Sequence, residues 1–390
     1  MLRDQALAAN ARDTRLWNGP GPWLLLTLVI CNVVAGSHLA ELKRDREANL
    51  LGLSNGSNRP DQPPRYDWSV GEDLARYLPA IPDARRQPLV IVLGMSQMYT
   101  INDVAQGDEA IPELLDEEFS AFGVRAFGLV APNLNNEEAL LLQLAALARP
   151  ATTPRAFLYG VCFDKFRNID LRPALARLLS SDLALQQSWT HVCEGRASMY
   201  PLACEKMRQS LATAQEPSTD RPDTVEQRIR TLAARALPLV DARSELNGAL
   251  QYRVYLFRNW LFDIHPSTKR PIISSRYQLN QELLGLLEEV SRARGIQLMV
   301  FVNPLNPQAE NPYITEQYQQ FKAWLQGFAQ SRRLGYANLE DAVPAEHWGQ
   351  RSDGPDFKHF RGEGHRLTAR AIDTSFRDQL RALPDPVPAP

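Results

Sequence analysis

Residues 88–96 read Pro-Leu-Val-Ile-Val-Leu-Gly-Met-Ser, and they decide how the rest of the chain is interpreted. The run Pro88–Leu93 is uninterrupted and rich in β-branched residues, which is typical of a strand buried on both faces of a parallel sheet. A glycine and a serine follow the run, where such a strand turns toward the next element. The stretch therefore predicts a central strand with Ser96 in the turn that follows it.

Four more strands are predicted along the chain, and helical patterns separate them. The strands are Val124–Leu129, Ala156–Val161, Ile296–Val302 and Tyr336–Leu339. The helices cover about 135–147, 279–290, 315–330 and 367–383. This alternation favours a parallel sheet with helices on both faces. We expect a flavodoxin-like three-layer α/β/α sandwich of the α/β class, with five strands in the order 2-1-3-4-5.

The connection between the third and fourth strands is longer than a single crossover needs. Residues from about 165 to 275 carry mostly helical patterns, so we interpret them as a helical insertion. Within it, Cys193 and Cys204 would form a disulfide in an oxidising compartment, and two unpaired buried thiols are the alternative.

Composition excludes several classes of protein. The 390 residues include 43 basic and 45 acidic side chains, a net charge of −2, so no basic excess supports nucleic-acid binding. The chain has no CxxC, HExxH or GxxxxGK[ST] motif. We therefore expect neither a metal site nor a cofactor.

The N-terminal region contains an apolar run, Trp23–Leu39, at the short end of the length that spans a bilayer. We predict a cytoplasmic N-terminus (1–22), an uncleaved transmembrane anchor (23–40), a polar linker (41–65), a folded domain (66–383) and a flexible tail (384–390). A buried helix and a cleaved signal peptide are the alternatives for the run. Basic residues flank it almost evenly, so the predicted disulfide decides the orientation. We expect a single-pass protein of the bacterial inner membrane whose domain faces the periplasm or cell exterior.

Two short motifs carry the chemistry. Ser96 follows the first strand, and Asp356 and His359 stand three residues apart in a predicted loop before the last helix. A carboxylate on imidazole Nδ1 leaves Nε2 to take the proton of a serine hydroxyl, which is a poor nucleophile unaided. Ligands of open parallel sheets bind beyond the carboxyl ends of the strands. Asp164 and Asn303 follow the third and fourth strands and are predicted to line the pocket, a turn-forming role being the alternative for Asn303.

The remaining residues near these motifs receive structural interpretations. His365 lies near the start of the last helix and is interpreted as a cap or surface residue. Met98 occupies the place of the second glycine in the Gly-x-Ser-x-Gly elbow of α/β-hydrolases, which excludes that fold.

The arrangement resembles the SGNH (GDSL-like) hydrolase superfamily over about 88–161 and 277–380. Gly94-Met95-Ser96 corresponds to its first block, Gly128 to the glycine of its second block, and Asp356-Phe-Lys-His359 to its last block. The resemblance implies a Ser96, Asp356, His359 triad and an oxyanion hole with the backbone N–H groups of Gln97 and Gly128. The third block usually reads Gly-x-Asn-Asp, and here Gly160-Val-Cys-Phe-Asp164 lacks the asparagine.

With an N-terminal anchor, the chain is similar to the branch that includes the D-alanyl-lipoteichoic acid transfer protein. That branch implies an O-acyltransferase or esterase that acts on a cell-envelope glycan or acylated polymer through an acyl-serine. It also implies a membrane-bound O-acyltransferase as partner. Met95 and the missing asparagine favour the alternative, a catalytically silent SGNH-like module that binds polysaccharide or scaffolds an envelope complex.

Overall fold

The structure is a computed structural model that describes residues 53–55, 77–215, 268–351 and 354–382, together with Thr27. Apart from Thr27, these residues belong to one unit, formed by 51–216 and 266–390. The predicted N-terminus (1–22), the anchor (23–40) and the tail (384–390) lie outside them. None of the helices in the described ranges combines the length and apolarity needed to cross a bilayer.

The strands and helices of the described residues are numbered in chain order. The strands are β1 (Leu53–Asn55), β2 (Leu89–Gly94), β3 (Thr100–Asn102), β4 (Arg125–Val130), β5 (Ala156–Val161), β6 (Gln297–Val302), β7 (Gly335–Asn338), β8 (Trp348–Arg351) and β9 (Gly354–Phe360). The helices are α1 (Ile111–Ser120), α2 (Asn136–Leu147), α3 (Pro173–Ser181), α4 (Leu183–Val192), α5 (Pro201–Gln215), α6 (Ser274–Ala293), α7 (Thr315–Arg332) and α8 (Gly362–Ala382).

Five strands form a parallel sheet in the order β4-β2-β5-β6-β7. In chain order this is 2-1-3-4-5, so the predicted class and strand order are confirmed. The predicted strand ends agree with the observed ones to within one residue. For the central strands β2, β5 and β6, the accuracy follows from their continuous apolar sequences, which are typical of strands buried on both faces.

Alternate side chains of β2 enter two separate cores. Leu89, Ile91 and Leu93 pack in the core that includes α2, α6 and α7. Val90 and Val92 pack in the second core, with α1 and α8. Because successive side chains of a strand point to opposite faces, the sheet lies between two helical layers, as the three-layer prediction requires.

Helix α2 begins with a capping box. The Asn135 side chain accepts the Glu138 N–H at 2.9 Å, and Glu138 Oε2 accepts the Asn135 N–H at 3.2 Å. Arg172 also donates two hydrogen bonds to the Glu138 carboxylate, at 2.7 and 2.8 Å. All residues of α2 are buried, so this helix forms the centre of its layer.

The first part of the predicted insertion consists of α3, α4 and α5, whose apolar side chains join the same core as α2. Cys193 and Cys204 are joined in a disulfide that links the end of α4 to α5, with Cα atoms 5.5 Å apart. Trp189 donates its indole N–H to the Met207 carbonyl at 2.9 Å, which adds a second tie between these helices. The rest of the insertion, 216–267, lies outside the described residues.

Two boundaries differ from the predictions. Strand β1 lies inside the predicted linker (41–65) and pairs antiparallel with β3, so the folded unit begins before residue 66. Helix α8 begins at Gly362 instead of 367 and includes His365.

The interpretation of His365 as a cap or surface residue is wrong. It is fully buried, its Nε2 lies 3.1 Å from the Thr100 carbonyl oxygen, and burial lowers its pKa to about 3. His365 therefore stays neutral and connects α8 to β3.

Glu137 yields a prediction about stability. It is fully buried in α2, accepts a hydrogen bond from the Ser210 hydroxyl and lies 3.9 Å from Lys206 Nζ. Burial raises its pKa from 4.5 to about 7, against the lowering effect of Ser210 and Lys206. Since the folded protein then holds a proton that the unfolded chain releases, the wild type loses stability as the pH rises from about 4.5 to 7. Glu137→Gln should therefore raise the melting temperature at pH 8 by roughly 5 °C and leave it unchanged at pH 5.

Thermal unfolding by circular dichroism at both pH values measures this effect. Glu117→Gln, which removes an exposed carboxylate from α1, is the matched control and should shift neither value. An equal shift of Glu137→Gln at pH 5 and pH 8 would contradict the assignment.

Candidate active site

Ser96 lies in the turn that follows β2, at the carboxyl edge of the sheet. Met95 is extended, and Ser96 begins a short 3-10 turn that ends at Met98. A Cβ on Gly94 would lie 2.3 Å from Met98 Cγ, so this turn requires glycine. Ser96 is partly exposed while Met95 and Gln97 are buried, which leaves the hydroxyl accessible at the end of a rigid strand.

Asp356 and His359 lie in strand β9 and not in the predicted loop. In the hairpin, Gln350 pairs with Pro355 and Trp348 pairs with Phe360. Residues 356–359 of β9 therefore lie opposite Gly349 alone, which makes this part of β9 a bulge. In a regular strand, side chains three residues apart point to opposite faces. The irregular pairing removes this restriction and lets the two side chains meet.

The structure brings Ser96, His359 and Asp356 into one hydrogen-bonded chain. Ser96 Oγ lies 3.1 Å from His359 Nε2, and His359 Nδ1 lies 3.0 Å from Asp356 Oδ2. The other carboxylate oxygen, Asp356 Oδ1, accepts the backbone N–H groups of Lys358 at 2.9 Å and His359 at 3.2 Å. Both side-chain contacts are within the range expected of a nucleophile, a base and an orienting carboxylate.

Two opposing effects act on the charge of Asp356. Burial disfavours the carboxylate, whereas the hydrogen bond and charge of His359 and the two backbone donors favour it, and together they hold its pKa below the usual range. Asp356 is therefore ionised at neutral pH and can hold the His359 ring with Nδ1 protonated.

Asn306, which the sequence analysis did not single out, holds β9 in place. Its Nδ2 donates to the Asp356 carbonyl at 2.8 Å, and its backbone N–H donates to the Phe357 carbonyl at 3.4 Å. Asn306 lies in the loop after β6, fifty residues before Asp356. Only a preference of Asn for turns marks such a residue in the sequence, and that preference does not reveal its partner.

Gln97 and Asn303 form a buried pair behind the serine turn. Asn303 Nδ2 donates to Gln97 Oε1 at 2.9 Å, and Gln97 Nε2 donates to the Pro304 carbonyl at 2.6 Å. Asn303 is 2% exposed, so it supports the turn and does not line an open pocket. The first hydrogen bond of the turn runs from the Met98 N–H to the Met95 carbonyl at 2.9 Å. The N–H groups of Ser96 and Gln97 come before it in the chain, which is the position from which N–H groups at the start of a helical turn can bind an anion.

The structure does not bring Gly128 to Ser96, which corrects its assignment to the oxyanion hole. Gly128 is opposite Val92 inside the sheet, and its carbonyl accepts a hydrogen bond from Tyr77 at 2.6 Å. Val92 precedes Ser96 by four residues, which is about 13 Å along an extended chain. The peptide group of Gly128 therefore belongs to the sheet.

Asp164 lies in an ionic cluster beside strand β9. Its Oδ2 accepts hydrogen bonds from Arg270 Nη1 at 2.9 Å and from Lys358 Nζ. Burial opposes the charge, but Lys358 and Arg270 outweigh it and hold the pKa of Asp164 below its usual value. Asp164 is thus close to the site through Lys358, and its carboxylate is already occupied by two cations.

Cys162 stands in the place of the third-block asparagine. It is buried, its Sγ lies 2.8 Å from Met95 Sδ, and burial raises its pKa. A neutral thiol is a weaker hydrogen-bond donor than the amide of an asparagine. The contact with Met95 shows that the Cys162 side chain packs beneath the serine turn. Across the described ranges, no three His, Cys, Asp or Glu side chains are grouped so that they could hold a metal ion.

The described residues thus define an α/β protein with a Ser-His-Asp chain at the carboxyl edge of its sheet. No family model and no curated protein matches the sequence. A predicted acylhydrolase of Bacteroides fragilis NCTC 9343 is a similar solved structure, with 10% identity, a TM-score of 0.37 and coverage of 81% of this chain and 99% of that chain. A GDSL-like lipase of Bacteroides thetaiotaomicron VPI-5482 has 9% identity, a TM-score of 0.38 and coverage of 80% and 99%. Likenesses this weak assign neither family nor activity.

Proposed function

We propose that this chain is a serine acyl-transfer enzyme of the SGNH type. Ser96 is the nucleophile, His359 the general base and Asp356 the residue that orients the base. The observation that supports this is the unbroken chain of contacts from Ser96 Oγ through the His359 ring to Asp356, at 3.1 and 3.0 Å. If these contacts served the fold alone, the serine hydroxyl at the end of the series would not need to be partly exposed.

In the proposed reaction, His359 Nε2 takes the Ser96 proton as Oγ attacks the acyl carbonyl. The ester bond breaks, the leaving alcohol receives that proton, and an acyl-serine remains. Water or an acceptor hydroxyl then attacks the acyl group and its proton passes to His359 Nε2. The bond between the acyl carbon and Ser96 Oγ breaks, and His359 returns the proton to Oγ, which regenerates the serine. The Ser96 and Gln97 N–H groups stabilise the negative charge on the carbonyl oxygen.

The proposed substrate is an acylated glycan or related polymer of the cell envelope. This step rests on the resemblance and on the predicted anchor, which would keep the domain beside a membrane-bound O-acyltransferase. A transferase must let an acceptor hydroxyl outcompete water at the acyl-enzyme, and holding the acceptor in place achieves this. We therefore propose O-acyl transfer in preference to plain ester hydrolysis.

Acyl-enzyme formation tests the proposed chemistry directly. Rapid quenching of the full chain with 4-nitrophenyl acetate, followed by peptide mass spectrometry, should find one acetyl group on the peptide that contains Ser96. An excess of oligosaccharide should divert that acetyl group from water to the sugar if the enzyme is a transferase. Acetyl groups confined to surface lysines would argue against an acyl-serine.

Removal of the N-terminal region separates transfer from hydrolysis. Because β1 pairs with β3, the cut belongs before Leu51 and not at residue 66. A secreted 51–390 fragment should keep its activity on 4-nitrophenyl acetate and lose at least about tenfold in polymer acylation in cells, since tethering supplies effective concentration. Full polymer acylation by this soluble fragment would leave a plain esterase.

A silent binding module remains the second candidate, because Cys162 replaces the third-block asparagine and Gly128 lies away from Ser96. Under this alternative, a strain that carries Ser96→Ala would acylate its envelope polymer as the wild type does. Under the proposed function, acylation is lost in that strain while the amount of the protein is unchanged.

A further inference from the structure

A group of arginines lies beside the catalytic strand, around Asp164. Arg270 donates to the Asp164 carboxylate, and Arg276 Nη1 donates to the Arg167 carbonyl at 3.0 Å. Asp164 also binds Lys358, the neighbour of His359. We call Arg167, Arg270 and Arg276 the arginine cluster. The Asp164–Lys358 contact connects it to the strand that carries the catalytic base.

Among the described residues, Arg167 is the member of the cluster whose side chain donates no hydrogen bond. It ends the 3-10 turn Phe163–Arg167, in which residues three apart share a face, so its side chain is on the same face as that of Asp164. Its Nε is buried without a hydrogen-bond partner, and among the described residues its guanidinium forms no ion pair. Burial lowers its pKa, and Arg270 and Arg276 add to that effect while Asp164 opposes it.

Asp164 is close enough to act on the charge of Arg167, but its carboxylate already accepts hydrogen bonds from Arg270 and Lys358. One carboxylate therefore serves several cations here, and a bound anion would stabilise the partly buried guanidinium. Arginine presents a rigid planar fork of donors that matches the oxygens of carboxylate and phosphate groups. The turn Phe163–Arg167 follows β5, next to β2 in the sheet, so Arg167 lies at the same edge as Ser96.

We propose that the arginine cluster is an anion subsite beside the acyl-transfer centre, in which Arg167 binds a carboxylate or phosphate group of the substrate. The inference rests on the proposed function for the chemistry at Ser96 and adds the substrate class: an anionic glycan or polymer. Uronic acids and phosphodiesters present the same oxygen geometry to the guanidinium, so the experiment distinguishes these two sources.

Calorimetric binding to the full chain tests the subsite with two matched pairs of probes. The first pair is trigalacturonate and its fully methyl-esterified form, and the second is galactose 6-phosphate and galactose. Each pair differs in the anionic group alone. We expect the wild type to bind at least one anionic probe about 10–100-fold more tightly than its neutral partner, as charge-assisted hydrogen bonds to arginine predict. A preference for trigalacturonate indicates a uronate, and one for the sugar phosphate indicates a phosphate.

Substitutions assign the preference to Arg167. Arg167→Met should remove it, and Arg167→Lys should retain part of it, because lysine keeps the charge and loses the fork. Arg294→Met is the matched control: Arg294 is exposed and follows α6 just before β6 begins, so it lies at the opposite edge of the sheet. That variant should bind as the wild type does, and circular dichroism checks that all three variants are folded.

Two results would overturn the subsite: equal binding of both members of each pair by the wild type, or an undiminished preference in folded Arg167→Met. Hydrolysis of 4-nitrophenyl acetate by the wild type is measured in parallel. Ester turnover without anion preference refutes this inference alone. Anion preference without ester turnover refutes the proposed acyl-transfer function and leaves the subsite standing.

Discussion

Ser96→Ala is expected to lose all labelling by a fluorophosphonate probe and to lower ester turnover by about a thousandfold to a millionfold. The hydroxyl that would form the covalent bond is gone, while the binding surface and turn donors remain. His359→Ala should lose labelling as well, because without Nε2 at 3.1 Å the hydroxyl keeps its proton at neutral pH. Gel fluorescence of the purified full chain measures labelling, and 4-nitrophenyl acetate hydrolysis measures turnover.

Matched controls separate catalysis from folding. Ser120→Ala removes an exposed hydroxyl from α1, whose contact is with its own helix, and His191→Ala removes an exposed imidazole from α4. Both variants should label as the wild type does. A folded wild type that takes up no probe, tested beside an active serine esterase, would contradict the assignment of Ser96 as nucleophile.

Asp356→Asn is expected to lower turnover by about a thousandfold to ten-thousandfold while the fold is kept. The asparagine amide can donate to His359 Nδ1, which would protonate Nε2 and point a donor at the Ser96 hydroxyl. Because the pKa of Asp356 is held below its usual range, the wild-type carboxylate is charged throughout the neutral range. The loss should therefore be present across the neutral range, and 4-nitrophenyl acetate hydrolysis by wild type and variant measures it.

The lowered pKa of Asp356 also predicts how the stability of the protein depends on pH. A carboxyl group whose pKa is lowered by folding stabilises the protein above its unfolded pKa, and this contribution disappears as the pH falls through the folded value. The stability difference between wild type and Asp356→Asn should thus narrow below about pH 4.

The control for the turnover measurement is Asp83→Asn, which removes a carboxylate from an ion pair with the exposed Arg85 and should keep full turnover. A loss of less than tenfold in Asp356→Asn would refute an orienting role.

The sequence by itself determined the sheet and the positions of the reacting groups along the chain. The central strands β2, β5 and β6 are local apolar runs, and the right-handed crossovers of a parallel sheet leave few possible strand orders. Ser96 after β2 and the Asp356-Phe-Lys-His359 spacing are also local patterns. Since the carboxyl ends of parallel strands share one edge, their meeting was predictable without coordinates.

Tertiary structure decided which groups contact each other within that framework. The irregular pairing of β8 with β9 puts Asp356 and His359 face to face, where a loop was predicted. The register of β4 against β2 keeps Gly128 away from Ser96, although the family pattern suggested otherwise. The β8–β9 pairing is local in the chain, whereas β2 and β4 are separated by α1. In both cases the register of the pairing decides which side chains meet, and a one-residue change of register would reverse the result without altering any local pattern.

The side chains that support the site also meet their partners only in the folded structure. Asn306 contacts β9 across fifty residues, and Lys358 contacts Asp164 across a separation of 194. A buried polar side chain must find a hydrogen-bond partner, but the sequence does not show which partner the fold supplies. The sequence therefore determined the sheet and the places of Ser96, Asp356 and His359 along the chain. The three-dimensional packing decided how they are oriented and which charges surround them, because those contacts form only when distant segments meet.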